Sequence, residues 1–229
     1  MITKHYTSKQ RGFTLIELMV TITIVAIMAA IALPNMSSWV NKRRVANRAE
    51  QTANLFRFAR SEAVRLNLPV VVCYTTIRTD GKANVPCNAA AETEQKGFTA
   101  FASKKGGLPY DSNIDEVLRT VAVNQNGSAN KVNITTHHLG FDEAIKTGTT
   151  GNIWIFYPNG TFGYTNQNTG SVRGSHVHTG SGLVRLDFND ATTTNTAALT
   201  YRRSKIILDA SGRISTCMPT DSRSACTAS

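Results

Sequence analysis

Residues 11–34 read RGFTLIELMVTITIVAIMAAIALP, and this stretch decides how the rest of the chain is organised. Within it, residues 13–33 carry a single charge, on Glu17. An α-helix rises about 1.5 Å per residue, so this run reaches the roughly 30 Å of a bilayer's hydrocarbon core. Three basic residues and no acidic residue precede it. The positive-inside bias therefore predicts that residues 1–12 lie in the cytoplasm and that everything after Pro34 lies outside.

An ordinary secretory signal peptide is the alternative interpretation, with Ala30-Ile31-Ala32 as a small-x-small cleavage site. The apolar region of a signal peptide normally has about 7–15 residues, fewer than residues 13–33 provide. A charge such as that of Glu17 costs about 2.5–3.5 kcal/mol at membrane depth on translocon scales. No Lys, Arg or His lies within the run, so the partner of Glu17 must come from elsewhere. A free α-amino group would serve, if the chain is cut between Gly12 and Phe13.

The segment RGFTLIEL at residues 11–18 resembles the class III leader and cleavage site of type IV pilins and type II secretion pseudopilins. The resemblance rests on a short basic leader, Gly before Phe, Glu five residues into the mature chain, the apolar run, and Pro34 near its end. It implies that a prepilin peptidase cuts after Gly12 and methylates the new N-terminus on Phe13. It further implies that Glu17 pairs with the N-terminal amine of a neighbouring subunit.

A second helical pattern follows Pro34, a residue that lacks a backbone donor and is expected to kink or locally melt the helix. Apolar residues recur there at spacings of three and four, which predicts one stripe on an amphipathic helix ending near Leu68. The stripe consists of Val45, Ala49, Ala53, Phe56, Ala59 and Ala63. Residues 35–66 also hold seven basic and two acidic residues, or +5 of the net charge of +10. We interpret these scattered charges as solvated faces and contacts to neighbouring stems.

From Pro69 onward, in the part that we call the head, short β-branched runs alternate with Gly, Asn, Asp and Pro, which predicts antiparallel β-structure. Asn159-Gly160 predicts a hairpin turn, because this dipeptide accepts positive φ. Residues 78–96, 165–182 and 189–199 are predicted to be polar loops. The fold class is therefore α+β, with a long N-terminal helix packed on an antiparallel β-sheet head. The predicted strands are Val70–Ile77, Gly97–Ala102, Val117–Val123, Val132–Thr136, Ile153–Tyr157, Thr161–Tyr164, Leu183–Phe188, Lys205–Leu208 and Arg213–Thr216.

The head resembles the pseudopilin H / FimT / FimU group of minor pilins. The resemblance rests on VVVCY at 70–74, IWIFYPNGTF at 153–162 and KIILDASGRI at 205–214. It implies a chain of four parts: a cleaved leader at 1–12, the transmembrane part of the stem helix at 13–34, its amphipathic part at 35–68, and a β-rich pilin head at 69–229.

The four cysteines can be disulfides once the head is placed outside the inner membrane. Nearness in sequence favours Cys73 with Cys87 and Cys217 with Cys226, although crossed pairing stays open. The second bridge would close the C-terminal tail. Zinc is the alternative, but no pair is spaced as Cys-x-x-Cys. His176-Val177-His178 lies in a Gly- and Ser-rich stretch without a nearby carboxylate, so we expect a solvated loop, no metal site and no cofactor.

A basic group near the C-terminus is a candidate for binding DNA, because Arg and Lys bind phosphates. It consists of Arg202, Arg203, Arg213 and Arg223. FimT-type competence pilins are similar here and carry a Gly-Arg-x-Arg motif. This chain has Gly212-Arg213-Ile214-Ser215, so the second Arg is missing. The alternative is a solvated edge strand whose charges protect it from aggregation.

Together these features predict a minor pilin of a type IV pilus, supporting pilus biogenesis in adhesion, twitching motility or DNA uptake. Before assembly we expect a single span in the inner membrane with the head in the periplasm, and afterwards a place in the filament. The implied partners are other pilins and minor pilins, the inner-membrane assembly platform, prepilin peptidase and the membrane. DNA is a further partner if the chain is a DNA-binding competence pilin. A FimT-like DNA-binding competence pilin and a type II secretion pseudopilin H are the alternatives. An enzyme is not expected, since no catalytic constellation is visible.

Overall fold

One long helix begins the described part of the chain. The computed structural model describes residues 12–87, 89–139, 152–180 and 182–227, and it divides after Val40 into two compact units. Helix α1 (Leu15–Leu66) continues past Pro34, so the predicted local melting there is not observed. It ends where Asn67 adopts a φ of +53°, a left-handed conformation typical of helix C-termini. The predicted end near Leu68 is therefore correct to within two residues.

None of the helices in the described residues is long and apolar enough to cross a membrane. The single span predicted for residues 13–34 is therefore not confirmed.

The apolar stripe predicted on α1 is confirmed. All six of its residues are at most 1% exposed and belong to one hydrophobic core. Four of the six are alanines, whose small side chains let the helix backbone approach the sheets closely. Phe56 is the large residue among them, and its ring meets that of Trp154 edge-on at a centroid distance of 5.4 Å. One face of α1 thus forms one side of the hydrophobic core.

A larger antiparallel sheet covers part of this face. Its strands are β1 (Val70–Ile77), β2 (Ala83–Pro86), β3 (Gly97–Ala102), β5 (Glu116–Ala122), β7 (Ile153–Phe156), β8 (Phe162–Thr165) and β10 (His178–Thr179). They lie in the order β10-β8-β7-β1-β3-β5, and β2 pairs with β1. Successive residues of β1 point to opposite faces of the sheet. Val70, Val72 and Tyr74 pack in the core that contains the α1 face, whereas Val71 and Cys73 pack in a second hydrophobic cluster.

A smaller antiparallel sheet contributes to the same core. Its strands are β6 (Val132–Leu139), β11 (Leu183–Asp190), β12 (Arg203–Asp209) and β13 (Ile214–Cys217), in the order β13-β12-β11-β6. Val184, Leu186 and Phe188 of β11 are fully buried in the cluster that contains the α1 face. The α+β class and the antiparallel head are therefore confirmed, and each of the nine predicted strands is present with ends shifted by at most three residues.

The predicted hairpin between β7 and β8 is also confirmed. The backbone N–H of Gly160 donates to the carbonyl of Tyr157 at 2.9 Å, and the Tyr157 N–H donates to the carbonyl of Thr161 at 3.0 Å. Positive φ falls on Gly160 at +80°. The turn therefore needs glycine at this one position.

The prediction of polar loops missed several short strands and helices that lie within and beside them. They are β2, helix α2 (Ala89–Glu94), the paired strands β4 (Gly107–Leu108) and β9 (Gly170–Ser171), β10, helix α3 (Thr196–Tyr201) and helix α4 (Ser224–Thr227). Strands of two residues show no periodicity in sequence. They form because partners distant in the chain offer hydrogen bonds.

A polar cluster lies where the two sheets meet. His138 of β6 stacks beside Tyr164 of β8, with ring centroids 4.2 Å apart. The Tyr164 hydroxyl donates to the Asn152 side-chain oxygen at 2.8 Å, and the Asn152 amides donate to Glu92. Burial lowers the pKa of His138 to about 4, against a hydrogen bond with Asn152 that raises it. Burial raises the pKa of Glu92. The site therefore favours neutral forms of both groups.

We expect the stability of the protein to depend on His138 in mild acid. The folded chain keeps this imidazole neutral down to pH about 4, whereas the unfolded chain protonates it below its usual 6.5. Its stabilising contribution is complete above pH 6.5 and is lost as the pH falls toward 4, while Glu92 acts in the opposite direction. The His138→Gln variant should lose less stability than wild type over this interval in urea titrations. Equal losses in the two proteins would contradict this role.

Candidate functional site

The start of α1 presents an exposed carboxylate. Thr14 caps the helix, because its hydroxyl oxygen accepts the backbone N–H of Glu17 at 3.3 Å. Glu17 lies in the first turn with an exposed side chain, where the partial positive charge of the helix N-terminus favours an anion. Gly12 and Phe13, the predicted cleavage pair, precede the helix and are exposed, Phe13 by 85%. Among the described residues, none forms an ion pair with Glu17.

A basic groove lies on the head, where α1 meets the turns of two hairpins. It is open, measures about 580 Å³, and is lined by Arg57, Arg60, Ser61, Val64, Gly160, Arg213 and Ile214. Arg57 pairs with Glu50 at 2.8 Å, which offsets one of the three positive charges. Arg60 donates to the carbonyls of Gly160 and Ser211, each at 3.2 Å. This guanidinium therefore joins the helix to one turn of each sheet.

The turn that carries Arg213 is tightly built. One carboxylate oxygen of Asp209 accepts from the backbone N–H of Ser211 at 2.9 Å and from that of Arg213 at 3.0 Å. Gly212 has a φ of +76°, and a Cβ there would lie 2.7 Å from the carbonyl oxygen of Gly160. The turn can press against the β7–β8 hairpin only because Gly212 has no side chain. Arg213 is thus exposed beside Arg60 on a firmly held loop.

The structure does not bring the other predicted arginines to this groove. Arg202 pairs with the buried carboxylate of Asp190 at 3.1 Å. Burial would raise the pKa of Asp190, but hydrogen bonds from Thr192 and Arg202 lower it below its usual value. Arg223 pairs with Asp221 at 2.5 Å and donates to a backbone carbonyl. Two of the four candidate charges are therefore offset within the head.

Arg203 lies in a separate cleft of about 180 Å³ beneath the C-terminal loop, which Lys205 also lines. The ammonium of Lys205 donates to the carbonyl of Cys226 at 2.5 Å. Burial lowers the pKa of Lys205, Asp187 raises it, and Arg185 and Arg203 lower it further. This cleft therefore holds the C-terminal loop on β12.

The structure joins Cys73 to Cys87 and Cys217 to Cys226 as disulfides, and no described cysteine is free. The Cys217 and Cys226 sulfurs lie within 4.8 Å of an Asp221 oxygen, a grouping that could suggest a metal site. Sulfurs bonded to each other are not thiolates and do not offer that ligand set.

Two family models match the chain. The prokaryotic N-terminal methylation motif matches residues 7–33. The model described as type II transport protein GspH matches residues 48–187, from the second half of α1 into β11.

Individual proteins also resemble the chain, either over a short segment or at low sequence identity. Type IV major fimbrial proteins FimA from Dichelobacter nodosus are 40% identical over 48 residues, which is 21% of this chain and 31% of theirs. The chain therefore spans less than a third of the length of these curated relatives. Two crystal structures of the type IV minor pilin FimU from Pseudomonas aeruginosa are 14% identical, with TM-scores of 0.43 and 0.40. The similarity covers 82% and 79% of this chain, and 98% of FimU in each case.

The Gly212→Ala substitution should destabilise the head and displace Arg213. A matched control is Gly127→Ala, because Gly127 has a similar φ of +71° but no atom within 4 Å of the place that a Cβ would take. Both variants incur the backbone penalty of about 1 kcal/mol, whereas only Gly212→Ala adds the collision with the Gly160 carbonyl. Chemical denaturation should therefore rank Gly212→Ala clearly below Gly127→Ala. Equal stabilities would show that the turn tolerates a side chain.

Proposed function

The chain belongs to the GspH family of type IV pilin-like proteins, and from this we propose that it is a minor pilin of a type IV pilus. In this proposal prepilin peptidase processes the chain, which then assembles into the filament and supports pilus biogenesis. The single observation that carries the proposal is the methylation motif at residues 7–33, which includes the start of helix α1 and Glu17 in its first turn.

Cleavage between Gly12 and Phe13 would give Glu17 its partner. The new amine on Phe13 is positively charged and, when methylated, stays so. A carboxylate in apolar surroundings is costly unless it is paired, and a pair in low dielectric attracts strongly. We propose that Glu17 of one subunit pairs with the Phe13 amine of a neighbouring subunit. This contact would set the register between subunits in the filament.

The proposed location before assembly is the inner membrane. Large apolar side chains between Phe13 and Met28 are between 49% and 85% exposed, which a subunit alone in water would not favour. We propose that residues 13–34 lie in the membrane and that the head lies in the periplasm. The assembly platform would then move the subunit into the filament, beside other pilins and minor pilins.

A FimT-like DNA-binding competence pilin is a second candidate. The groove of Arg57, Arg60 and Arg213 favours it, because an exposed arginine beside a second guanidinium can contact neighbouring phosphates. The ion pairs of Arg202 and Arg223 count against a larger basic surface.

A type II secretion pseudopilin H is a third candidate, and the description of the matching family favours it. The order of neighbouring genes would distinguish it from a pilus subunit. Pilins and pseudopilins are structural proteins, so we propose no catalytic activity.

Glu17→Val should leave processing intact and impair incorporation into filaments. The variant keeps the cleavage pair but removes the carboxylate, so the recovery of the subunit in sheared filaments should fall about tenfold or more, since 1.4 kcal/mol suffices for that factor. Glu17→Asp restores the charge and should recover part of the loss. Gly12→Val, by contrast, should keep the leader, which mass spectrometry detects. Normal recovery of Glu17→Val in filaments would exclude the proposed pairing.

Duplex DNA titrations at several salt concentrations test the second candidate. If the groove binds DNA, log affinity should fall linearly with log salt, and Arg213→Ala should weaken binding and reduce the slope by about 1. Arg78→Ala is the matched control, since Arg78 is an exposed arginine that lies outside the groove and near Asp80. Absence of binding at low salt, or equal loss in both variants, would leave the minor pilin without a DNA role.

A further inference from the structure

A second basic pocket lies beside residues 44–48 of α1, toward its N-terminus from the basic groove, against the loop between β5 and β6. It measures about 110 Å³, room for about four water molecules at ~30 Å³ each. Its cations are Arg44 and Arg48 of α1 and Lys131 of the loop. The remaining lining residues are Val123, Asn124, Gln125, Ser128 and Ala129, so the lining contains no carboxylate.

The loop that forms one wall is held in place by a buried amide. Asn124 is 5% exposed, and its side-chain nitrogen donates to the carbonyls of Gln95 and Val132, each at 2.8 Å. Its side-chain oxygen accepts from the backbone N–H of Lys131 at 3.0 Å and from that of Val132 at 3.1 Å. The ammonium of Lys96 donates to the carbonyl of Ser128 at 3.2 Å. These bonds fix the backbone at Lys131 and bring a fourth cation close to the loop.

The two arginines are held by neutral acceptors. One nitrogen of Arg48 donates to the carbonyl of Ala122 at 3.1 Å and to the side chain of Gln51 at 3.0 Å. The same atom of Arg44 donates to the side chain of Asn41 at 2.8 Å. These contacts orient the guanidinium groups without offsetting their charge.

Five described arginines differ from these two, whereas Arg60 is likewise held by neutral carbonyls. Arg57, Arg65, Arg185, Arg202 and Arg223 each lie within 3.1 Å of a carboxylate oxygen. Within the described residues, no ion pair offsets the charge of Arg44, Arg48 or Lys131, so the pocket concentrates positive charge.

We propose that Arg44, Arg48 and Lys131 form a binding site for a phosphate-type oxyanion. Guanidinium groups bind such an anion through paired N–H donors, and a lysine adds a compact positive charge. Ser128 and Gln125 of the lining provide side chains that can donate to the remaining oxygens. The volume accommodates one tetrahedral anion, and the fixed loop reduces the entropy lost when it binds.

The phosphate can be a free anion or part of an anionic lipid headgroup. Arg44 follows Pro34 by ten residues along the chain, and basic residues close in sequence to a membrane anchor typically bind anionic headgroups. Only this lipid source depends on the proposed function. The oxyanion chemistry depends on the pocket alone.

Titration calorimetry of the full chain in maltoside micelles at low ionic strength tests the site, with inorganic phosphate as the probe. Wild type should bind phosphate saturably. The double variant Arg44→Gln/Lys131→Gln removes two charged donors and should weaken binding at least about tenfold. The control Arg78→Gln/Lys105→Gln removes the same two residue types from exposed positions outside the pocket and should bind like wild type. Since Arg44 is half-buried, the single variant Lys131→Gln, at an exposed position, provides a second comparison.

Absence of saturable binding to wild type would overturn the proposal, as would an equal loss in the control. Hydrogen exchange of residues 124–131 then distinguishes the two sources of phosphate. Protection in phosphatidylglycerol nanodiscs, absent in phosphatidylcholine nanodiscs and lost in Lys131→Gln, would identify a lipid headgroup. Binding of inorganic phosphate without that protection would identify a free anion. Either result is independent of Glu17→Val, whose effect on filaments tests the proposed function separately.

Discussion

The alanine-rich face of α1 packs against two antiparallel sheets at once, and this contact organises the head. Ala49, Ala53, Ala59 and Ala63 are completely buried, so at these four positions the helix contributes only methyl groups to the core. Phe56 fills the space that remains, with Phe98, Trp154 and Phe156 around its ring. Because the interior is close-packed, the positions of both sheets depend on this one helical face.

The sheets share their inner core but not their outer coverings, and a disulfide lies in each covering. Cys73 and Cys87 belong to the cluster on the far side of the larger sheet, whereas Cys217 and Cys226 pack with Ile207 of the smaller sheet. Cys87 follows β2 and Cys226 lies in the short helix α4, so each bridge joins a segment outside the long strands to a strand of its sheet. A covalent link limits the conformations of such segments in the unfolded chain.

Polar contacts at the edges of the core determine which charges remain available for partners. Arg60 joins α1 to one turn of each sheet, and the fit of Gly212 against Gly160 brings these turns together. Arg213 is exposed as a result. Beside Arg44, nearer the N-terminus of α1, buried Asn124 fixes the loop that brings Lys131 to Arg44. Hydrogen bonds within the protein thus position the charges of both basic surfaces. Each surface is therefore limited to the few residues that these bonds bring together.

Periodicity and turn chemistry were sufficient to predict the long helix and the longer strands, but not the short elements in the loops. The spacing of three and four from Val45 to Ala63 identified the buried face of α1, because a helix places such residues on one side. β-branched runs identified nine of the thirteen strands in the described residues, and Asn159-Gly160 identified a turn whose positive φ glycine accepts. The methylation motif at residues 7–33 was equally local, since it is a run of contiguous residues. Tertiary structure decided which charges distant in sequence meet. Asp190 offsets Arg202 only because the two come together where β11 pairs with β12, and Lys131 joins Arg44 only through the folded loop, contacts that depend on distance in space rather than along the chain.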